Sequence, residues 1–442
     1  MPNEFDVAVI GAGMAGIIAA RDLSQKGHSV VLLEARDRIG GRTYTDHAFN
    51  GELDLELRGG YVHWTQPHVW RELQRHGMSL KPPMKGAGST GWQMGLSTLV
   101  RARSYARARF PMPFEVDLLE NREIEEETIE DRITSLNLSD YERDVLEGLL
   151  AGVIHSCKKQ GIAQLLQAAA TTFGDFTAFF ETAGSWGIQG GIKQLISAIM
   201  AESNVELRLS TPIDAVVDNG SGVTITTREG QVFNAWSAVV ALPLNTLGDV
   251  KIHPDLPPAA RSMIERRNPV TAHKVWVRVK GEIEPFSLVS PPGKHPINAA
   301  RFEKHHNGDT LIMCMCADAA AIDPADLHAV QAALRKFLPD IEVVDTACHD
   351  WVADEFSKGG WMMHRPGTLT TGPPLFRKAH GNIYFAAADV ATWGIGSIEG
   401  AMASGALAAR DLSVALGQTQ ISDQSQVILL RSGNVRTNGS VD

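Results

Sequence analysis

Three glycines near the start of the chain have a spacing that could serve a specific chemistry. Gly11, Gly13 and Gly16 form the pattern G-x-G-x-x-G, and Glu34 follows further along the chain. In dinucleotide-binding folds the first glycine permits a tight turn, the second lets the backbone approach a pyrophosphate, and the third allows close helix–strand packing. An acidic residue at the position of Glu34 can accept hydrogen bonds from the adenosine ribose. The pattern predicts a dinucleotide site, with a purely structural glycine turn as the alternative.

The residues around these glycines predict the elements that position them. Val7–Ile10 is a short β-branched run, an alanine- and isoleucine-rich helical stretch extends to Lys26, and Ser29–Leu33 predicts a second strand that ends at Glu34. This order of strand, turn, helix and strand puts the glycines at a helix N-terminus, where free N–H groups and the helix dipole favour a phosphate.

The segment after the second strand distinguishes between the possible dinucleotides. It reads Glu34-Ala35-Arg36-Asp37-Arg38-Ile39-Gly40-Gly41-Arg42-Thr43 and resembles the flavin-containing amine oxidase family, whose members carry E-A-R-x-R-x-G-G-R at this place. The resemblance implies FAD, with Gly40, Gly41 and the Arg42 guanidinium around the pyrophosphate. Together with the first glycine turn it predicts these cofactor-binding residues: Gly11, Gly13, Met14, Ala15, Gly16, Glu34, Ala35, Arg36, Gly40, Gly41 and Arg42.

Further segments extend the resemblance to about Leu416. Gly59-Gly60-Tyr61-Val62-His63-Trp64 looks closest to the nicotine-oxidase branch, in which this stretch passes the flavin ring, although an ordinary Gly-Gly turn with core aromatics would look similar. By the same resemblance Ile213 lies against the adenine. Asp389 contacts the sugar-phosphate part of FAD, and the helix that begins near Ser397 and Ile398 directs its N–H groups at the flavin.

Two residues are predicted by resemblance to act in catalysis. Lys274 starts an alternating strand, where pattern alone suggests a solvated lysine, but the family places a lysine there that holds a water near the flavin. Trp361 matches one wall of the family's aromatic substrate cage, and a core tryptophan is the alternative. Members with covalent flavin carry a cysteine before this aromatic residue; here it is Gly360, which predicts non-covalent FAD.

The rest of the substrate pocket departs from the family pattern. Ser397 stands where the second cage wall is usually aromatic, so the cage is half built unless Trp393 replaces that wall. Tyr61, His63 and Trp64 are the other predicted pocket residues. His155, His273 and His364 could also be proposed as acid–base groups, but hydride transfer from a neutral amine needs no strong base. No Cys/His spacing predicts a metal site.

Composition limits the class of protein and its partners. The chain has 442 residues, 44% of them hydrophobic, and a net charge of −10 without a basic block at either end, which argues against nucleic acid. No run is apolar enough to span a membrane, and the first residues lead directly into a strand, so we expect no signal peptide and a cytoplasmic protein. The four cysteines predict reduced thiols. A homodimer is left open.

The fold class predicted is α/β, with a Rossmann-type FAD-binding domain interleaved with an α+β substrate domain. The FAD-binding pieces are 1–85, 204–255 and 366–416, the substrate pieces are 86–203 and 256–365, and the tail 417–442 is expected to be disordered. The expected activity is oxidation of a small amine, with O2 as electron acceptor. A flavin dehydrogenase or desaturase that passes electrons to a protein or quinone, and an FAD-bearing scaffold without turnover, are the alternatives.

Overall fold

A computed structural model describes residues 4–82, 122–152, 156–172 and 176–423. Within these ranges the chain forms seventeen strands and fourteen α-helices. The strands are β1 Phe5–Ile10, β2 Val30–Leu33, β3 Tyr44–His47, β4 Leu53–Arg58, β5 Leu80–Lys81, β6 Gly187–Ile188, β7 Glu206–Arg208, β8 Ile213–Asp218, β9 Val223–Thr227, β10 Val232–Val240, β11 Lys251–His253, β12 His273–Val279, β13 Ser287–Val289, β14 Ala299–His306, β15 Asp309–Cys316, β16 Val343–Ala347 and β17 Ile383–Phe385.

The helices lie between and on the sheets. They are α1 Met14–Gln25, α2 Ala48–Gly51, α3 Pro67–Arg75, α4 Arg122–Glu126, α5 Ile129–Ser135, α6 Asp140–Leu150, α7 Ile162–Ala170, α8 Phe176–Gly184, α9 Ile192–Ala201, α10 Leu244–Leu247, α11 Pro258–Arg266, α12 Leu327–Arg335, α13 Pro373–Phe376 and α14 Ile398–Asp423. No helix in the described ranges is long and apolar enough to cross a membrane.

The first sheet has eight strands and carries the glycine turn. Its order is β11-β8-β9-β10-β1-β2-β7, and β17 also pairs with β10. Strand β1 runs parallel to both β2 and β10, with Val7 opposite Val30 and Ser237. All four residues of β2 are buried, as expected for a parallel sheet covered on both faces. The predicted order of strand, helix and strand is confirmed.

The second sheet has five antiparallel strands in the order β13-β14-β15-β12-β16. Its strands all fall within 256–365, and those of the first sheet fall within 1–85, 204–255 and 366–416. The two sheets thus follow the interleaving predicted from sequence, and the mixed α/β class is confirmed. The precise domain bounds stay a prediction.

The C-terminal prediction was wrong in part. Helix α14 runs to Asp423, so the chain from Gly417 to that residue is helical rather than the start of a disordered tail. Small residues let this helix pack closely on α1: a Cβ at Gly405 would lie 2.2 Å from the carbonyl oxygen of Ala15. Residues 424–442 and His155 lie outside the described ranges, as do residues 83–121, which fall mostly in the predicted substrate piece 86–203.

Candidate active site

One large cavity of about 650 Å³ lies between the two sheets. One wall comes from the first sheet and its loops, including Gly11, Glu34 and Ile213, and we call it the first-sheet side. The opposite wall comes from β12 to β15 and includes Lys274, Arg301 and Met313; we call it the second-sheet side. A cavity of this size with mostly apolar walls is typical of a site that binds a cofactor and a substrate.

Two glycine turns meet at the first-sheet side. Gly11 has φ +98°, and a Cβ there would lie 2.8 Å from the carbonyl oxygen of Ala241. A Cβ at Gly16 would lie 1.9 Å from the Gly11 carbonyl oxygen, which is the helix–strand packing role expected of the third glycine. Gly13 pairs with Gly40 in a parallel bridge, so the second turn lies directly against the first.

Gly13 differs from its two neighbours in the pattern. A Cβ at this position would meet nothing closer than 3.9 Å, the Cα of Gly41. The fold itself therefore leaves room for a side chain at Gly13, and Gly13 lines the cavity. The glycine there is explained by a ligand that needs close approach to the backbone, which fits a pyrophosphate.

Glu34 ties the turn to the end of β2. Its carboxylate accepts hydrogen bonds from the backbone N–H of Ala12 at 2.7 Å and of Arg36 at 2.9 Å. The side chain is buried, and burial raises the pKa of its carboxyl group above the ordinary value. The N–H bonds oppose that rise, so Glu34 holds the turn in shape while its carboxylate remains at the cavity wall.

Arg42 and Asp389 were both predicted to touch the cofactor, and the structure pairs them with each other. Arg42 Nη2 donates to the Asp389 carboxylate at 2.6 Å, and the other carboxylate oxygen accepts from the Leu244 N–H at 2.8 Å. Arg42 lines the cavity, but Asp389 is buried behind it and does not. Both Asp389 oxygens are therefore bonded within the protein, and Asp389 positions Arg42 at the cavity wall; a direct contact of Asp389 with the cofactor stays a prediction.

Lys274 is not the solvated lysine that the strand pattern suggests. It is buried, lines the cavity, and donates from Nζ to the Glu56 carbonyl oxygen at 2.8 Å. Trp276, on the same face of β12, donates to that same oxygen. The Lys274 Nζ lies 4.8 Å from the centre of the Tyr61 ring, a distance at which a cation is attracted to an aromatic face.

Trp361 lines the cavity, and two side-chain amides hold the backbone at Trp361 and Met362. Asn268 Nδ2 donates to the Trp361 carbonyl oxygen at 2.7 Å, and Gln164 Nε2 donates to the Met362 carbonyl oxygen at 2.9 Å. Both amides are buried. Sequence reasoning did not identify them, since a lone Asn or Gln gives no signal until the fold brings it to the backbone it holds.

Arg58 is a third residue that the sequence did not reveal. Its guanidinium lies between the rings of Trp351 and Trp361, 5.3 and 5.4 Å from their centres. Nη1 donates to the Gly359 carbonyl oxygen, whereas Nη2 is buried with no partner among the described residues. Burial, with the nearby Arg42 charge, lowers the pKa of Arg58 to about 9. A buried cation at the cavity wall calls for an electron-rich ligand.

His63 and Trp64, both predicted pocket residues, are not among the residues that line the cavity. The His63 ring bonds the Thr65 hydroxyl at 2.8 Å and stacks on Trp64, which lies edge-on to Trp186 at the surface. Val62 and His63 are buried away from the cavity, and Thr65 and Gln66 line it instead. Gly60 does not line the cavity either, and a Cβ at this position would meet the Glu56 side chain.

The remaining predicted residues lie where expected. The cavity wall includes Met14, Ala15, Ala35, Arg36, Gly41, Gly59, Tyr61, Ile213, Trp393, Ser397 and Ile398. Burial lowers the pKa of His63, His273 and His364, so each favours the neutral ring, and none of the three lines the cavity. This agrees with assigning no acid–base role to them.

Comparison with known proteins connects this geometry to a family. Residues 14–413 match the family model described as flavin containing amine oxidoreductase. The chain belongs to that family. The match includes the second-sheet side of the cavity and the first-sheet side from Met14 onward, and it ends within α14.

Relatives within the family are named for related reactions. The chain is 30% identical to a pseudooxynicotine dehydrogenase from a Pseudomonas species, over 91% of this chain and 85% of that protein. It is 31% identical to a nicotine dehydrogenase from Pseudomonas putida, over 92% and 88%. A (S)-6-hydroxynicotine oxidase from Paenarthrobacter nicotinovorans is 28% identical over 90% and 97%.

Solved structures share the fold. Cyclohexylamine oxidase from Brevibacterium oxydans superposes with a TM-score of 0.78 at 18% identity, over 94% of this chain and all of that one. Putrescine oxidase bound to putrescine superposes with a TM-score of 0.72 at 20% identity, over 93% and 99%. The predicted family and fold are therefore confirmed.

The cofactor of this family member is FAD, and the residues fit it. The glycine turns leave the backbone of Gly13 open to the cavity, Glu34 presents a carboxylate, and the unpartnered Nη2 of Arg58 supplies a buried donor. These groups match a ligand with a ribose, a pyrophosphate and polar ring atoms.

Gly360 shows that the site has no room for the cysteine of covalent family members. A Cβ there would lie 2.3 Å from a Val270 methyl carbon and 3.1 Å from Arg58 Nη2. The four cysteines are all free and all described, and none of them lines the cavity. The prediction of non-covalent FAD is consistent with this geometry.

Ser397, in place of the second cage aromatic, has a structural explanation. Its hydroxyl donates to the Gly394 carbonyl oxygen at 2.6 Å and accepts from the Gly400 N–H at 3.2 Å, so it caps helix α14. Trp393 also lines the cavity but is 47% exposed, which puts it at the opening. The tryptophan therefore shapes the entrance, and the capping serine leaves that wall open.

Proposed function

We propose that the protein oxidises a carbon–nitrogen bond of a small amine, with O2 as the electron acceptor. The observation that carries the proposal is that Trp361 and Lys274 lie at one cavity with the FAD-binding turns, although they come from distant parts of the sequence. FAD, when bound, supplies the two-electron oxidant that takes a hydride from the carbon next to nitrogen.

The protein's own groups bind and orient the amine. Trp361 offers a flat aromatic face. Hydrogen bonds from the Asn268 and Gln164 side-chain amides to the Trp361 and Met362 carbonyl oxygens hold the backbone that carries this face. Apolar walls that include Leu165, Leu288 and Met313 exclude water. An apolar site disfavours a charged ammonium, so it selects the neutral amine, whose lone pair assists loss of the hydride.

The overall balance follows from this chemistry. Loss of a hydride from the α-carbon of the neutral amine and of a proton from its nitrogen gives an imine, and water converts the imine to a carbonyl compound and a free amine. The two electrons, with two protons, reduce O2 to hydrogen peroxide. Lys274 Nζ, with one N–H used by Glu56, retains donors for a water or a developing negative charge at the wall.

A second function is favoured by the names of the relatives. Two of them, at 30% and 31% identity, are named dehydrogenases rather than oxidases. In that case the same oxidation of the amine would be followed by transfer of electrons to a protein or quinone. The cavity geometry supports the first step equally in both cases.

An anaerobic absorbance titration followed by admission of air tests the proposal. The yellow protein is titrated with primary, secondary and N-heterocyclic amines. Bleaching by an amine, with recovery and peroxide on admission of air, supports the oxidase. Bleaching without recovery supports the dehydrogenase. If no amine bleaches the flavin band, amine oxidation is excluded and an FAD-bearing scaffold becomes the better account.

A further inference from the structure

The second-sheet side of the cavity carries hydrogen-bond donors but no carboxylate. Among the described residues on this side, the charged groups that line the cavity are Lys274 and Arg301. The other lining residues of β13 to β15 are small or apolar, such as Leu288, Ala300 and Met315. A ligand that extends along this wall meets apolar surface and two cations.

The carboxylates that do line the cavity within the described ranges lie elsewhere and are already bound. Glu34 holds the Ala12 and Arg36 N–H groups, and Asp249 pairs with Lys358 at 2.7 Å. Glu355 pairs with Arg228, and Glu399 accepts from the His68 ring and the Val69 N–H. Each of these four already has a partner within the protein, and none lies on the second-sheet side.

Arg301 and Tyr61 form a pair at this wall. Arg301 Nη2 donates to the Tyr61 hydroxyl oxygen at 2.7 Å, and Nη1 donates to the Gly184 carbonyl oxygen at 2.9 Å. Because the Tyr61 oxygen accepts from Arg301, its own O–H proton must find another acceptor, and the described residues supply none. About a quarter of the Arg301 side chain, 26%, is accessible, and the residue lines the cavity.

A carboxylate that does not line the cavity balances the charge of Arg301. Its Nε lies 3.5 Å from Glu303, whose side chain does not line the cavity. The Tyr61 ring lies between two cations, with Lys274 Nζ 4.8 Å and Arg301 Cζ 5.1 Å from its centre. The pair thus presents a guanidinium and a hydroxyl donor to the cavity while the balancing carboxylate stays outside it.

We propose that Arg301 and Tyr61 form a substrate subsite for an oxygen acceptor, so that the amine oxidised here carries a carbonyl or carboxylate oxygen away from its reacting carbon–nitrogen bond. This deepens the proposed amine oxidation and rests on it. Two adjacent donors suit one acceptor group, whereas a second ammonium would face two cations without a counter-charge. Arg301 and Tyr61 are specificity-determining residues in this account.

A matched series of amines tests the subsite. The probes are n-hexylamine, 6-aminohexanamide, 6-aminohexanoate and 1,6-diaminohexane, each also as the N-methyl amine, so that only the far end of the chain changes. Two measurements are made: the shift in Tm with each probe, which needs no turnover, and kcat/KM for flavin reduction under anaerobic conditions.

In the wild type we expect the amide or the carboxylate to exceed hexylamine in both measurements, and the diamine to be the weakest. Hydrogen bonds to a charged group support a preference of about tenfold to a hundredfold in kcat/KM. Preference for the amide indicates a carbonyl substrate, and preference for the carboxylate indicates an anionic one. A diamine that exceeds both, or no difference along the series, overturns the subsite.

Variants assign the preference to these residues. Arg301→Met and Tyr61→Phe should each lower about tenfold the ratio of kcat/KM for the oxygen-bearing probes to kcat/KM for hexylamine. Arg278→Met is the control, because Arg278 lies on β12 of the same sheet, pairs with Asp309 and Glu52, and does not line the cavity. Tyr61→Phe keeps the ring if Arg301→Met fails to fold. Unchanged preference in the folded variants overturns the assignment.

The two proposals fail in different ways. If no amine of any kind bleaches the flavin, the proposed oxidation fails, and the Tm shifts still decide whether the subsite binds an oxygen-bearing chain. If amines bleach the flavin but the series shows no preference at its far end, the oxidation stands and the subsite is excluded.

Discussion

The two sides of the cavity are built in different ways. On the first-sheet side the backbone makes the wall: glycine turns from residues 11–16 and 40–41 lie against each other, and Glu34 bonds to backbone N–H groups. On the second-sheet side the wall consists of side chains from separate strands, such as Lys274, Arg301 and Met315. A backbone wall serves one cofactor, whereas a side-chain wall can change with the substrate while the fold stays the same.

The largest effect is expected where the backbone wall has no spare room. Gly16→Ala places a Cβ 1.9 Å from the Gly11 carbonyl oxygen, so helix α1 must move off β1. We expect a loss of more than about 4 kcal/mol in the free energy of unfolding, or insoluble protein. Urea denaturation measures it. Gly417→Ala, in helix α14, is the control, because a Cβ there meets nothing within 4 Å and its φ is not positive; similar stability of the two variants would contradict the packing role.

The stability of the protein should depend on pH through the buried His364. Burial lowers the pKa of His364 from 6.5 to about 4, with Asp389 and Arg377 as the nearby charges. Between these values the unfolded chain binds a proton that the folded protein does not, so stability falls as pH decreases from about 6.5 to about 4. The loss attributable to His364 is at most about 3 kcal/mol.

Denaturation of His364→Gln over that pH range isolates this contribution. The variant should show a smaller fall in stability than the wild type between the two pH values. His328→Gln, at an exposed position on α12, is the control. An identical pH dependence in the wild type and His364→Gln would show that His364 is not held neutral.

On the second-sheet side a change should affect turnover and leave the cofactor in place. Lys274→Met keeps the length of the side chain but removes the donor at the cavity wall. We expect FAD content to be unchanged and either flavin reduction or its reoxidation to slow about a hundredfold. Stopped-flow measurement of both half-reactions decides it, with Arg278→Met as the control. Wild-type rates in both half-reactions would remove Lys274 from the mechanism.

The smallest effect is expected for Gly13→Ala, a change on the first-sheet side that tests cofactor binding separately from folding. In Gly13→Ala the new Cβ meets nothing closer than 3.9 Å, so the Tm of the protein without FAD should stay within about one degree of the wild type. The Kd for FAD should rise about tenfold, because the methyl group obstructs the close approach of a pyrophosphate. Equal FAD affinity would mean that no phosphate lies against Gly13.

The same contrast explains which residues could be predicted. The order of strand, glycine turn, helix and strand was predicted correctly, since it depends on neighbours within one short segment. Lys274 and Trp361 needed a family resemblance, because their local pattern fits a surface strand and a core aromatic. Arg58 had only a weak local signal, a charged residue before Gly59-Gly60 at the end of an otherwise alternating strand.

Three side chains lie in surroundings that the sequence did not indicate, for a common reason. Asp389 was expected at the cofactor, and Arg42 reaches it from far along the chain and pairs with its carboxylate. His63 and Trp64 were expected in the pocket from the family resemblance, yet neither lines the cavity, and Trp64 packs on Trp186 at the surface. In each case the decisive partner lies more than a hundred residues away.

The sequence by itself determined the nucleotide-binding turns, the order of the first strands and the family, because closely spaced glycines and apolar runs act through local backbone geometry. Only the tertiary structure decided that Arg58 lies between two tryptophans, that Asp389 positions Arg42, and that Arg301 meets Tyr61 at the second-sheet side. These contacts join residues from different sheets and loops, so their distances depend on how the two sheets pack and not on spacing along the chain.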